Sequence, residues 1–168
     1  KGIENIIAVS NLMNERNVKH KFIIAGDDKD YRFQYYISKV KKIASNNKSV
    51  KFIGKISEKE KISFLKEIDF LVLPSINSFE AFGLVQLEAM SFGKLVLVSN
   101  LQGVNYPVSL TGNGIIFEKN NINLIYNSII AIKKMSTKLE KKKIIINYLN
   151  HFNKEKFNEQ FNKILDLN

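Results

Sequence analysis

Two glutamates and a glycine lie close together in "SFEAFGLVQLEAMSFGK", residues 78–94: Glu80, Gly83 and Glu88. Carboxylates accept hydrogen bonds from hydroxyl groups, and a glycine lets a ligand come near the backbone. The stretch follows "DFLVLPS", an apolar run that reads as a strand ending at Pro74. The helix predicted next opens near Phe82 or Gly83. Its first-turn N–H groups and the positive end of its dipole would suit an anion such as phosphate. The dipole alone contributes roughly 0.3–1 kcal/mol. Glu88 lies further along the helix, about 7 Å from Gly83 at ~1.5 Å per residue. That is the reach from a diphosphate to a ribose, whose hydroxyls suit a carboxylate acceptor. Glu80 precedes the helix, on the side of whatever group the diphosphate carries. The plain alternative is an acid held at a helix start by the dipole and a second acid solvated on a helix surface. The residues alone leave both open.

These residues need a framework, and the rest of the chain supplies strands alternating with helices. "KGIENIIAVSNLM" has helical spacing from its first residues and reads as a piece of a longer protein. "HKFIIAGDD" and "VKFIG" read as buried strands closed by Gly26 and Gly54, with the helix "YRFQYYISKVKKIAS" between them. "SEKEKISFLKEI" opens with Ser57 and has Glu60 at the capping-box position. Phe70–Leu73, "KLVLVSN" and "GIIFEKN" complete five strands. "NLIYNSIIAIKKM" is a helix with Leu124, Ile125, Ile129, Ile130 and Ile132 on or near one face, and two further helical stretches finish the chain, the last being "KEKFNEQFNKILDL". Short strands that are apolar throughout imply a parallel sheet covered on both sides: a three-layer, Rossmann-like α/β domain spanning residues 1–168. Ligands in such sheets sit at the carboxyl ends of the strands, where Asp27, Lys55, residues 75–83 and residues 100–103 all fall.

Composition narrows the function classes. The chain has 168 residues, enough for one well-filled core, and 45% of them are apolar, which excludes a disordered chain. There is no cysteine, and His20 and His151 are far apart, so disulfides and a zinc site are not expected. No apolar run is long enough to span a membrane, and no signal peptide is visible. The net charge of +10 is carried almost wholly by lysine, Arg16 and Arg32 being the only arginines. Lysine, asparagine and isoleucine are abundant together, as an A- and T-rich coding sequence would give. A nucleic-acid-binding surface would carry more arginine and exposed aromatics, so nucleic acid is not the expected partner. Asp27, Asp28 and Asp30 read as a polar loop rather than a metal cluster, and His20 as a strand-start residue. Tyr35, Tyr36, Phe152, Phe157 and Phe161 have helical spacing and read as packing residues.

"PSINSFEAFGLVQLEAMSFGKLVLVS" resembles the signature of glycosyltransferase family 4, a retaining group with the GT-B fold that uses nucleotide sugars. Pro-Ser, Glu-small-Phe-Gly, the spacing of the two glutamates, Glu-Ala-Met and Gly-Lys all match in order. "KG" at the start, "FIIAGDD", "VKFIGKIS" and "NGIIF" also fall in family order, so the resemblance covers nearly the whole chain. It implies a donor-binding domain, the C-terminal half of a GT-B glycosyltransferase. Glu80 then resembles the acid on the donor sugar, and Phe82, Gly83 and Leu84 the backbone beside sugar and diphosphate. Glu88 resembles the ribose-binding acid, and Lys1 the lysine that neutralises the departing diphosphate. Lys55 and Ile56 follow the strand whose loop meets the base. The resemblance also implies a metal-independent reaction with no cofactor. The acceptor, a glycan or lipid-linked molecule, would be held by a domain upstream of Lys1. It further implies a cytoplasmic enzyme of bacterial surface-polysaccharide or glycolipid synthesis, with the inner face of the cell membrane as its place of peripheral association.

The chain departs from the family at two places. The arginine normally found before "KG" would lie upstream of Lys1. The usual Gly-Gly-x-x-Glu loop reads Gln102-Gly103-Val104-Asn105-Tyr106, which loses the first glycine and the acid and leaves the shape of that loop open. Two other functions stay in view. One is a non-catalytic glycosyltransferase-like subunit, against which Lys1, Glu80 and Glu88 all speak. The other is an unrelated doubly wound binding module, such as a receiver-like domain, for which Asp27 alone is thin support.

Overall fold

The computed structural model describes residues 2–77 and 80–155. Helix α1 (Ile3–Glu15) leads to β1 (Phe22–Ala25). A 3-10 turn (Tyr31–Phe33) and α2 (Gln34–Ala44) lead to β2 (Val50–Gly54). Then come α3 (Glu58–Glu67), β3 (Phe70–Leu73), α4 (Leu84–Ser91) and β4 (Leu95–Ser99). The described part closes with α5 (Tyr106–Thr111), β5 (Gly114–Phe117), α6 (Ile122–Lys138) and α7 (Lys141–His151).

All strand pairs are parallel, as expected, but they divide into two ladders: β1-β2 and β3-β4-β5. Among the described residues no ladder joins β1 or β2 to β3. β4 lies between two partners and is buried along its whole length. Successive side chains of a strand point to opposite faces, and β4 shows this directly. Leu95 and Leu97 join Ile6, Val9 and Met13 of α1 and Ile125, Ile129 and Ile132 of α6 on one face. Val96 and Val98 join Leu65 of α3, Ala89 and Met90 of α4 and Val108 of α5 on the other. The sheet is therefore the middle layer of three. A smaller cluster of Ile7, Val40 and Ala44 ties α1 to α2 and, through Val50 and Phe52, to β2.

The strand ends are brought to one side. Gly26 N–H donates to the Gly54 carbonyl at 2.9 Å, which joins the ends of β1 and β2. The start of α1 lies against Pro74, at the end of β3, and Asn5 donates to Asn120, just beyond β5, at 3.2 Å. The other end of α1 meets the start of β2, where Asn14 bonds to Asn47 and Ser49. Since α1 runs antiparallel to both ladders, Gly26, Gly54 and Pro74 share one rim.

Several local expectations are revised. The helix expected from Tyr31 starts at Gln34, because the Asp30 carboxylate caps the Arg32 N–H and tightens the first turn into a 3-10 form. Helix α5 was not expected, although Pro107 in its first turn is a start signal. Leu124 is 43% exposed and lies off the buried stripe of Ile125, Ile129 and Ile132. Tyr35 is 87% exposed and packs against nothing comparable to a core. Phe152 does pack, beside Phe82 and Tyr148, whereas Phe157, Phe161 and most of the last expected helix lie outside the described residues. The capping box of α3 forms as expected: Ser57 accepts the Glu60 N–H while Glu60 accepts the Ser57 N–H at 2.7 Å.

Candidate functional site

β3 ends at Leu73, and two helices begin beside that end. Each has a left-handed glycine as N-cap and no side-chain cap: Gly2 for α1 (φ 76°) and Gly83 for α4 (φ 73°). The left-handed φ disfavours a side chain at both positions, and at Gly2 the backbone leaves no room for one. A Cβ on Gly2 would run into the Pro74 carbonyl, and one on Gly83 would run into the Leu73 side chain. The end of a single strand thus carries two glycine-capped helix N-termini, both presenting backbone N–H groups and positive dipole ends to the same rim.

Glu80 lies half-buried in the loop between β3 and α4. Glu88 lies on α4, one side of its carboxylate held by Lys61 of α3 at 2.9 Å. The helix starts at Leu84, so Gly83 is the cap rather than part of the first turn. Leu84 is 69% exposed and Phe82 is half-buried, its ring edge-on to Phe152. Lys55 is exposed at the end of β2, its ammonium 3.7 Å from Asp27, and Ile56 beside it is half-buried. Lys1 lies outside the described residues; its neighbour Gly2 begins α1.

The loop after β4 closes the site from the other side. Gly103 (φ 86°) lies so near the Ala81 carbonyl that a Cβ there would overlap it. One glycine of the expected pair therefore suffices to bring this loop against the acidic one. Gln86, fully buried on α4, clamps both: its side-chain amide donates to the Phe82 carbonyl at 2.5 Å and to the Val104 carbonyl at 3.0 Å. Asn105 donates to Asn100 and Asn100 to Glu118, each at 3.0 Å, which extends the polar rim toward β5.

Tyr36 supports the other helix start. Its hydroxyl accepts the Ile3 N–H at 3.2 Å and donates to Glu4 at 2.7 Å. Burial disfavours the charge on Glu4, but the bonds from Tyr36 and from its own backbone N–H, with Lys39 nearby, hold its carboxyl below the ordinary value. Burial and the adjacent Glu4 raise the Tyr36 phenol. Lys94, the lysine of "FGK", lies at the opposite end of the sheet. Burial lowers its pKa, and it donates to the carbonyls of Lys66 and Ile68 at 2.9 and 2.6 Å, closing the end of α3.

Gln86, Lys61 and Tyr36 were not singled out as functional in the sequence. The only signal for Lys61 was a cation one turn before Leu65 on an otherwise apolar face of α3. The Asp27–Asp30 loop is taken up by cations: Asp28 bonds Lys41 and Asp30 bonds Arg32, both at 2.7 Å, and each partner pulls its carboxyl pKa down. Among the described residues no group of acidic or histidine side chains could hold a metal ion, and no helix is long and apolar enough to cross a membrane.

Parallel strands, helices on both faces and a glycine-rich rim at the strand ends define a Rossmann-like α/β domain of the GT-B kind. A model of the family described as glycosyl transferases group 1 matches residues 1–152, and the chain belongs to that family. Two uncharacterized glycosyltransferases of Methanocaldococcus jannaschii are similar to it. One is 31% identical over 118 residues, covering 70% of this chain and 32% of that protein; the other is 30% identical over 163 residues, covering 94% and 38%. The chain thus spans about a third of the length of these relatives. Among solved structures, sucrose-phosphate synthase from Thermosynechococcus elongatus matches with a TM-score of 0.78 at 22% identity, covering 99% of this chain and 42% of that one. A glycosyltransferase from Rickettsia africae matches with a TM-score of 0.77 at 20% identity (98% and 44%). Anabaena HepE, solved in complex with UDP and glucose, matches with a TM-score of 0.69 at 17% identity (94% and 51%).

Proposed function

We propose that this chain is the donor-binding domain of a retaining, family 4 glycosyltransferase that transfers a sugar from a nucleoside-diphosphate sugar to an acceptor. The observation that carries this reading is the meeting of the Gly2 and Gly83 helix caps at the end of β3, with Glu80 before α4 and Glu88 along it. Backbone N–H groups at both caps, with Lys1 beside Gly2, would take the diphosphate. Glu88 would accept the ribose hydroxyls, Glu80 would meet the donor sugar, and residues 55 and 56 would face the base. Phe82 and Leu84 would line the way from sugar to diphosphate. Catalysis would be electrostatic: fixed dipoles and a lysine stabilise the charge that develops on the leaving diphosphate. Such a mechanism needs no metal or cofactor. Membership of the family and the similar fold of a protein solved with UDP and glucose support the reading.

The acceptor would be a glycan or lipid-linked molecule held by another part of the full-length protein. The setting would be bacterial polysaccharide or glycolipid synthesis in the cytoplasm, at the inner membrane face. Calorimetric titration of the chain with UDP, GDP and ADP tests the core of the proposal. At least one should bind, and Glu88→Ala should weaken it about ten- to a hundredfold through lost charge-assisted bonds. Absence of binding by all three, or an affinity indifferent to Glu88, overturns it.

A further inference from the structure

The ammonium of Lys61 sits between two carboxylates from different helices. It is 2.7 Å from Glu58 Oε2 on its own helix and 2.9 Å from Glu88 Oε1 on α4. Glu58, three residues earlier on α3, gives Lys61 an ion-pair partner, but the dipole and the core do not favour a lysine here. Lys61 stands in the opening part of α3, where a cation opposes the helix dipole. It is also one turn before the buried Leu65, on the face that packs against the sheet, where an apolar side chain would pack better. Its side chain is only 25% exposed, while Glu58 is 86% and Glu88 39% exposed. The lysine is thus drawn inward, and its head group ends at the acid of the candidate site.

We infer that Lys61 is a positioning residue for Glu88, fixing its carboxylate for a ribose diol; the inference rests on the donor-site reading above. The hydrogen-bond inventory permits it. Each carboxylate oxygen has two lone pairs, so one bond from Lys61 to Oε1 leaves enough acceptors for two ribose hydroxyls. Because Glu88 is exposed enough to choose among rotamers, the bond costs the free protein the entropy that ribose binding would otherwise cost. Glu58 completes the arrangement by holding Lys61 from the far side, and both acids raise the pKa of the ammonium, Glu58 most. Lys61 on this view touches no substrate atom; it acts through Glu88.

The test uses the 168-residue chain with whichever of UDP, GDP and ADP binds best, and with the 2′,3′-dideoxy analogue of that nucleotide. Lys61→Met should weaken the ribonucleotide about three- to tenfold, and Lys61→Arg should recover most of the loss. The dideoxy analogue should bind wild type and Lys61→Met alike, because it offers Glu88 nothing to hold. Melting curves of both variants establish that they are folded. Unchanged ribonucleotide affinity in Lys61→Met overturns the inference. So does an equal loss for the ribo and dideoxy forms, which would make Lys61 a general attractor of phosphate. If wild type binds no nucleoside diphosphate, or prefers the ribo form no more than Glu88→Gln does, the donor-site reading itself falls, and the role of Lys61 with it.

Discussion

Gln86 reaches from the first turn of α4 to the carbonyl of Val104 at 3.0 Å, so one buried amide sets the distance between the acidic loop and the loop after β4. Its second bond, to Phe82, fixes the backbone just before the helix cap. The side-chain oxygen of Gln86 has no partner among the described residues.

Replacing Gln86 should loosen both loops. Gln86→Leu deprives two carbonyls of their donor but also removes the unpartnered oxygen, so the net cost should be about 1 kcal/mol, or about 2–4 °C in Tm. Gln86→Glu should cost more, since it would aim a buried carboxylate at two carbonyl oxygens. Thermal melts of the two variants give the order, and Glu melting above Leu would contradict the clamp.

Gly83→Ala should be damaging out of proportion to the one methyl group it adds. The left-handed φ of 73° and the overlap with Leu73 both oppose it. A loss of about 1–3 kcal/mol is expected from backbone strain, with nucleotide binding reduced further as the cap shifts. Urea unfolding checks the first effect and calorimetry the second.

Tyr36→Phe tests the support of the α1 start. It removes the acceptor of the Ile3 N–H and the donor to Glu4, at a cost of about 1 kcal/mol. The effect should depend on pH. Glu4 has a folded pKa below its ordinary 4.5, so its charged form contributes stability above that value, and the contribution fades as pH falls through the depressed pKa. The stability difference between wild type and Tyr36→Phe should therefore be largest near neutrality and shrink below about pH 4.5. Denaturation curves across this range measure it; a difference that grows in acid would refute it.

If Glu80 meets the donor sugar as proposed, Glu80→Ala in the full-length protein should reduce sugar transfer more than it reduces affinity for the free nucleoside diphosphate. Equal losses in the two assays would move it to the nucleotide.

Much of this arrangement was legible in local sequence. The capping box of α3 and the apolar runs of β3 and β4 are decided by neighbours a few residues apart, and they fold as read, while α4 opens one or two residues later than read, with Gly83 as its cap. The clamp of Gln86, the pairing of Lys61 with Glu88 and the bond from Tyr36 to Glu4 join residues 18, 27 and 32 positions apart. Nothing in the local pattern marks those partners, because a buried amide and a surface amide have the same letter. Tyr35 and Tyr36 show the same limit: adjacent aromatics, one projecting into solvent and one satisfying a helix end. The division of the strands into two ladders was equally invisible, since strand patterns give direction and burial but not which strands become neighbours.

That division bears on how the molecule opens. α1 faces the β3-β4-β5 side with Ile6, Val9 and Met13 and the β1-β2 side with Ile7, and no described ladder crosses between the two. The two sides should therefore exchange their amide hydrogens as separate cooperative units. β4, buried throughout, should open only on global unfolding, while β1, β2 and α2 should open together at lower free energy, the 38% exposure of Ile23 marking how thinly that unit is covered. α1 belongs to both units, and its first cap is half of the candidate anion site. A bound diphosphate would then slow exchange in α2, which contributes no residue to the proposed donor site, giving donor binding a signature readable away from the ligand.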